Sequence, residues 1–130
     1  MNRRVIQFLP AIFWFLLSFY LLTLPGTRFP KINWFNKIQG DKLVHIGMFA
    51  VLVTLFLWPS KTKWLQPSFF KVALLIALTA LSYGIAMEFV QENFIPNRSF
   101  DTWDMVADGV GSFIPVFYIW FLIKRRIATG

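Results

Sequence analysis

Four long apolar segments within 130 residues constrain the fold of this chain more than any other feature. A helix needs roughly 20 apolar residues to cross the ~30 Å of hydrocarbon in a bilayer. Residues 5–24, 69–90 and 105–123 meet that length. Residues 43–58 are short and need charged flanks or a locally thinner bilayer. We therefore predict an all-α membrane protein with four transmembrane helices.

The composition favours lipid rather than water as the surroundings of the chain. It is 57% hydrophobic, holds 16 Phe and 6 Trp, and is only 15% charged. A soluble domain this small could not bury that much apolar surface, so we expect one membrane domain over residues 1–130. The sequence has no cysteine, which excludes disulfides and thiolate metal sites.

The charged residues predict an orientation. Eight basic residues and no acid would flank one face of the membrane: Arg3, Arg4, Lys61, Lys63, Lys71, Lys124, Arg125 and Arg126. The other face would carry five basic residues and all six acidic ones. The positive-inside rule then places both termini in the cytoplasm and the acidic face outside it. No nucleic-acid partner is expected, because the basic residues lie at the ends of apolar segments rather than along one face.

Residues 88–108 concentrate the polar chemistry of the chain, with five of its six acidic residues. They fall between the third and fourth apolar segments, whose short connection predicts an antiparallel helix pair. Small residues four apart, Ala80 with Gly84 and Ala107 with Gly111, would allow these helices to pack closely. The alternative interpretation is that these small residues face lipid.

The sixth acid, Asp41, opens the second segment four residues before His45, so the two side chains share a helix face. Asp41 follows Gly40 and has the position of an N-cap, which accepts hydrogen bonds from first-turn amides. A capping role and a site role are compatible. For His45, hydrogen-bonded packing and catalysis both remain open.

Glu88 calls for a partner more than any other residue. It lies at the C-terminal end of the third segment, where the helix dipole disfavours a carboxylate. An ionisable group in a membrane costs about 2.5–3.5 kcal/mol near the centre, and less toward the edge. We expect Glu88 to meet a cation, a donor or a proton, with Lys42, His45 and Arg98 as candidates. Gln91 lies on the same side of the helix, three residues on.

Asp101 and Asp104 have the spacing of an N-cap and the third helical position, as in a capping box with Asp in place of Glu. Arg98 lies among carboxylates, which predicts an ion pair. Asp108 follows Asp104 by four residues, on the same face and deeper in the fourth segment. No capping role reaches Asp108, so it predicts a site.

Two motifs carry a resemblance to a known family. DKLVHIGMFAVL at residues 41–52, and E-x-x-Q followed by P-N-R-S-F-D-x-x-D-x-x-x-D-G-x-G, resemble the VanZ-like family of small bacterial membrane proteins. The resemblance covers roughly residues 10–123 and implies a multi-pass protein of the bacterial cytoplasmic membrane. The family's polar positions fall on Asp41, Lys42, His45, Glu88, Gln91, Arg98, Asp101, Asp104 and Asp108. The last is commonly Asn in the family.

The family's namesake confers resistance to teicoplanin, a glycopeptide antibiotic that acts on the cell wall. The resemblance therefore implies a role in the cell envelope without fixing a reaction. Three hypotheses remain open, and the first is an extracytoplasmic pocket that binds an amphiphile, such as an envelope lipid, a cell-wall precursor or a glycopeptide. Its ligand-binding residues would be Asp41, Lys42, Gln91, Arg98, Asp101, Asp104 and Asp108.

The second hypothesis is an enzyme acting on a lipid-linked envelope substrate, with Glu88 or His45 as general base. Carboxylates and one imidazole would suit Mg²⁺, Mn²⁺ or Ca²⁺, because these hard ions prefer oxygen ligands. The third hypothesis is that the polar residues are purely structural and hold short helices together. The sequence leaves the metal, the ligand and the oligomeric state open.

Overall fold

A computed structural model describes residues 3–28, 33–34 and 39–129. The regular elements in these ranges are all helical, as predicted. Four α-helices are labelled here α1 (Leu9–Leu22), α2 (Gly40–Leu57), α3 (Phe69–Phe94) and α4 (Thr102–Thr129). One helical turn, Arg3–Ile6, precedes α1, and two 3₁₀ helices cover Gly26–Arg28 and Trp58–Lys63.

Three helices within the described ranges are long and apolar enough to cross a membrane. They are Gly40–Lys63 with 24 residues, Phe69–Phe94 with 26, and Thr102–Thr129 with 28. Each extends beyond the apolar segment that predicted it, because the helices continue into the charged residues at their ends. The membrane-type helical fold is thus confirmed for three segments.

The first apolar segment forms a shorter helix than predicted. Pro10 lacks a backbone N–H, and its ring clashes with the carbonyl four residues earlier in a continuing helix. The turn Arg3–Ile6 accordingly ends before α1 begins at Leu9. With 14 residues, α1 rises about 21 Å, which is less than a bilayer core. A crossing by this segment stays a prediction.

Helix α4 packs against both α2 and α3, and α1 lies against α2, where Trp14 Nε1 donates to the Met48 carbonyl at 3.0 Å. The small residues allow the close packing. A Cβ on Gly84 would meet the carboxylate of Asp108, and one on Gly111 would overlap the Ile46 carbonyl. Both glycines are buried between helices, so the lipid-facing interpretation is wrong for them. The predicted close contact between the third and fourth helices is confirmed at Gly84, whereas Gly111 packs closely against α2.

The helices run so that charge separates along the bundle. Helices α1 and α3 end, and α2 and α4 begin, at one end, which we call the acidic end. It carries Asp41, Glu88, Glu92, Asp101, Asp104 and Asp108. The opposite end, which we call the basic end, carries Lys61, Lys63, Lys71, Lys124, Arg125 and Arg126. Lys31 and Lys37, predicted for the acidic face, lie outside the described residues.

Candidate functional site

Lys42, in the first turn of α2, holds three carboxylates together at the acidic end. Its Nζ donates to Asp41 Oδ2 at 2.8 Å, to Asp101 Oδ2 at 2.5 Å and to Asp104 Oδ1 at 2.6 Å. The Lys42 side chain is only 16% exposed. One ammonium group therefore joins the start of α2 to the start of α4.

The prediction that Asp41 caps α2 is wrong. The helix begins one residue earlier, at Gly40, and its N-cap is Gln39, whose φ of 52° lies in the left-handed region. Gln39 makes no side-chain capping bond. Asp41 consequently lies inside the first turn, where its carboxylate ion-pairs with Lys42.

Asp101 caps α4 as predicted, but the reciprocal half of the capping box is supplied from another helix. Asp101 Oδ1 accepts a hydrogen bond from the Trp103 N–H at 2.8 Å. Asp104, which would complete the box, binds Lys42 instead. The N–H of Asp101 donates to Glu88 Oε2 at 3.0 Å, so a carboxylate of α3 fixes the start of α4. The hydrogen bond from Lys42 lowers the pKa of the Asp101 carboxyl, which is therefore ionised at neutral pH.

His45 pairs with Asp108 deeper in the bundle. Its Nδ1 lies 2.7 Å from Asp108 Oδ1, and both side chains are buried. An ionised Asp108 carboxylate only accepts hydrogen bonds, so Nδ1 donates to it, and in the neutral imidazole Nε2 is then the nitrogen that carries the lone pair. Nε2 faces Asp104 Oδ2 at 3.8 Å, which is too long for a hydrogen bond. Gly84 provides the space for the Asp108 carboxylate.

Glu88 is almost fully buried, with 1% of its surface exposed. The donor predicted for it turns out to be the backbone N–H of Asp101, since Lys42 and His45 bind aspartates instead. Its other oxygen, Oε1, is buried and has no hydrogen-bond partner in the described part of the chain. An unsatisfied buried acceptor is costly, so this oxygen is unusual for a purely structural network.

Gln91 of α3 and Arg98, in the connection between α3 and α4, bind the main chain at the end of α1. Gln91 Nε2 donates to the Leu22 carbonyl at 2.8 Å, and Arg98 Nε donates to the Leu24 carbonyl at 3.3 Å. Both bonds satisfy main-chain groups just at or beyond the end of α1. These contacts are structural, and ligand binding by either residue stays a prediction.

We call the polar group at the acidic end the acidic cluster. It consists of Asp41, Lys42, His45, Glu88, Asp101, Asp104 and Asp108. Five carboxylates face one ammonium group in this cluster, so full ionisation would leave an excess of four negative charges with a neutral imidazole. Like charges at this range cannot all persist without protons or a further cation.

Two groups in the acidic cluster have the spacing of metal ligands. The inner group consists of His45, Glu88 and Asp104. Each offers one ligand atom, and these three atoms lie within 4.8 Å of one another. The outer group, Asp41, Asp101 and Asp104, meets the same limit. Lys42 Nζ lies between the oxygens of the outer group, so the ammonium already occupies that position.

An apolar cavity of about 200 Å³, partly open to the outside of the bundle, lies between α1, α2 and α3. Its walls include Phe15 of α1, Leu52 and Val53 of α2, and Ala80 and Tyr83 of α3. Sequence reasoning missed it, because the residues that line a cavity in a membrane bundle have the same apolar character as those that fill a core.

Tyr83 connects this cavity to the helices around it. Its ring packs against Phe15 and Phe49, at centroid distances of 5.0 Å and 5.8 Å. Its hydroxyl pairs with Ser18 Oγ at 3.2 Å. A polar Ser inside the first apolar segment was the one sequence signal that could have pointed to this contact.

The structure thus has two chemically distinct surfaces, a negative polar cluster and an apolar cavity. The cluster can accept hydrogen bonds from hydroxyl or ammonium groups and can ligate a cation, while the cavity suits a hydrocarbon. Comparisons with protein-family models, curated proteins and solved structures find no match for this chain.

Proposed function

We propose that the protein is a VanZ-like integral membrane protein of the bacterial cytoplasmic membrane that binds an amphiphile of the cell envelope. The ligand is an envelope lipid, a cell-wall precursor or a glycopeptide. Its polar head group contacts the acidic cluster and its apolar tail enters the cavity. The family assignment is supported by the two sequence motifs and the compartment by the charge asymmetry.

The observation that carries this proposal is the alignment of the cavity with the acidic cluster. Leu52 follows His45 by seven residues, or about two helical turns and 10 Å along the same face of α2. Ala80 precedes Glu88 by eight residues on the matching face of α3. We propose that one molecule lies along the bundle and contacts both surfaces.

The chemistry of the two surfaces restricts the ligand. Ligand pockets usually enclose roughly 300–1,000 Å³, so a cavity of about 200 Å³ takes part of a tail rather than a whole molecule. Carboxylates favour head groups with hydroxyl or amino donors, as in saccharides and amino sugars. A bare phosphate would be repelled by the excess negative charge unless a cation accompanied it.

A cavity-filling substitution tests this proposal. Ala80→Leu adds three carbon atoms to the cavity wall, and we expect it to reduce the lipid that co-purifies with the protein at least about five-fold, measured by native mass spectrometry. Ala86→Leu makes the same change at an exposed position of α3 and should retain lipid like the wild type. A wild-type protein that purifies free of lipid, and is not stabilised by an envelope lipid extract, would refute the proposal.

The proposed orientation has the acidic end outside the cytoplasm, both termini inside it, and four membrane crossings. The chain has no cysteine, so single cysteines report sidedness without background. With a membrane-impermeant maleimide on intact cells, we expect Glu92→Cys to be labelled, and Lys63→Cys and Asn2→Cys only after permeabilisation. Labelling of Asn2→Cys from outside would mean that α1 does not cross the membrane, and labelling of Lys63→Cys would reverse the orientation.

The structural hypothesis has a specific observation in its favour. Lys42 binds three carboxylates, and Gln91 binds a main-chain carbonyl, so much of the polar network holds helices together. A purely structural network predicts that the substitutions at Ala80 and Ala86 have the same effect on retained lipid. The comparison of these two variants therefore separates the two functions.

A further inference from the structure

We infer that His45, Glu88 and Asp104 bind one divalent metal ion that accepts both oxygen and nitrogen ligands, such as Mn²⁺. This inner metal site lies in the buried part of the acidic cluster, where α2, α3 and α4 meet. The inference does not depend on whether an amphiphile binds, because it concerns only these three side chains and the ion.

The three side chains have the spacing that a bound metal ion requires. One atom from each residue lies within 4.8 Å of the other two, and His45 Nε2 lies 3.8 Å from Asp104 Oδ2. Metal–ligand bonds of about 2.0–2.2 Å place neighbouring ligand atoms about 3–4 Å apart. The nitrogen and oxygen are thus too far apart for a hydrogen bond and correctly spaced for an ion between them.

Glu88 has one buried carboxylate oxygen that is unsatisfied. The side chain is 1% exposed, and Oε1 has no hydrogen-bond partner among residues 3–28, 33–34 and 39–129. Oε2 is held by the Asp101 N–H, which fixes the carboxylate beside His45 and Asp104. A metal ion would give this oxygen the partner that it does not have in the described part of the chain.

The pairing of His45 with Asp108 leaves one imidazole nitrogen for a metal ion. Nδ1 lies 2.7 Å from Asp108 Oδ1, and Nε2 faces Asp104 Oδ2. When Nδ1 donates to Asp108, Nε2 of the neutral imidazole carries the lone pair that a metal ion needs. Histidines that bind metals usually donate their other ring N–H to a carboxylate or carbonyl in this way. Asp108 is a positioning residue here, because it sets the tautomer without contacting the ion.

The position of Lys42 favours the inner group over the outer one as the metal site. The oxygens of the outer group already surround the Lys42 ammonium. No lysine ammonium reaches Glu88 within 4.0 Å in the described part of the chain. One imidazole with two carboxylates, and no thiolate, suits Mn²⁺, because carboxylates favour hard ions and the imidazole is also accepted.

Isothermal titration of the metal-free, detergent-solubilised protein with MnCl₂ tests the site. We expect one Mn²⁺ per chain for the wild type. Glu88→Gln should bind Mn²⁺ at least tenfold more weakly, because it replaces the unsatisfied oxygen's charge with a neutral amide. Glu92→Gln is the matched control: it makes the same change one turn further along α3, at an exposed position, and should bind like the wild type.

Pulsed electron paramagnetic resonance identifies the nitrogen ligand. The chain contains a single histidine, so nitrogen modulation of bound Mn²⁺ by an imidazole must come from His45, provided that the purification tag contains no histidine. Asp108→Asn keeps the shape of the positioning residue. It should weaken Mn²⁺ binding by about 10–100-fold, and thermal unfolding without metal shows whether each variant is folded.

The possible outcomes either establish the metal site or overturn it. One bound Mn²⁺ with imidazole modulation, weakened by Glu88→Gln or by Asp108→Asn and unchanged by Glu92→Gln, establishes the site. Absence of Mn²⁺ binding to the folded wild type overturns the inference. Binding without imidazole modulation, or binding that Glu92→Gln weakens as much as Glu88→Gln, also overturns it. If Glu88→Gln does not fold, Asp108→Asn and the modulation decide.

Discussion

Replacing Lys42 with methionine is expected to lower the free energy of unfolding by about 2–3 kcal/mol, less than the ~3–5 kcal/mol for breaking a fully buried ion pair, because the pairs are only partly buried. Lys42 Nζ contacts Asp41, Asp101 and Asp104 at 2.5–2.8 Å. Methionine keeps an unbranched side chain, one atom shorter, but leaves three carboxylates without their shared cation. Asp104, 11% exposed, contributes most of the loss, whereas Asp41, 57% exposed, can be hydrated.

The size of this loss distinguishes an ion-pair network from ordinary interhelical hydrogen bonds. Single polar bonds between membrane helices average about 0.6 kcal/mol, well below the effect expected for Lys42. Unfolding in mixed micelles by SDS titration measures the difference, with EDTA present so that no metal ion compensates. Lys63→Met provides the control, because Lys63 is exposed at the basic end and should change stability by less than about 0.5 kcal/mol.

A second substitution tests whether the loss comes from an unpaired charge. Asp104→Asn in the Lys42→Met background removes one of the carboxylates left without a cation, so the double variant should be more stable than Lys42→Met alone. If Lys42→Met unfolds like the wild type, or if Asp104→Asn adds to its loss, then Lys42 does not hold the cluster together.

The sequence predicted where the polar residues gather but not how they pair. Hydropathy located the helices, although not their exact ends, and the polar positions near those ends identified the acidic cluster, including His45 and Asp108. Capping rules describe neighbours within one helix, so they predicted the bond from Asp101 to Trp103. The bond from the Asp101 N–H to Glu88 joins residues 13 apart on different elements, and it follows only from the packing of α3 against α4.

Two other differences have equally local causes. Pro10 interrupts the first apolar segment, because proline has no backbone N–H and its ring clashes with the preceding turn. A hydropathy average over the segment does not show this interruption. Gln39 adopts a left-handed backbone conformation, which starts α2 one residue before Asp41. Neither a hydropathy profile nor a capping preference contains these backbone effects, whereas the small-residue spacing did predict the helix contact at Gly84.

Gly111→Ala is expected to lower the free energy of unfolding by about 2–3 kcal/mol, at the upper end of the usual cost of overpacking. A Cβ at this position would overlap the carbonyl of Ile46, and backbone cannot move aside as a flexible side chain can. Helices α2 and α4 would have to separate, and the separation would also strain the bond between His45 and Asp108 one turn away.

Gly47→Ala is the matched control for that substitution, because it makes the same change on α2, where a Cβ would meet nothing within 4 Å in the described part of the chain. Alanine favours a helix over glycine by up to about 1 kcal/mol, so this variant should be as stable as the wild type or more stable. SDS titration compares the two. Equal effects would mean that glycine is needed for the helix itself, while a loss confined to Gly111→Ala assigns the requirement to the contact between α2 and α4.

That contact sets the distance between His45 and Asp108, so Gly111→Ala should also weaken Mn²⁺ binding although it changes no ligand.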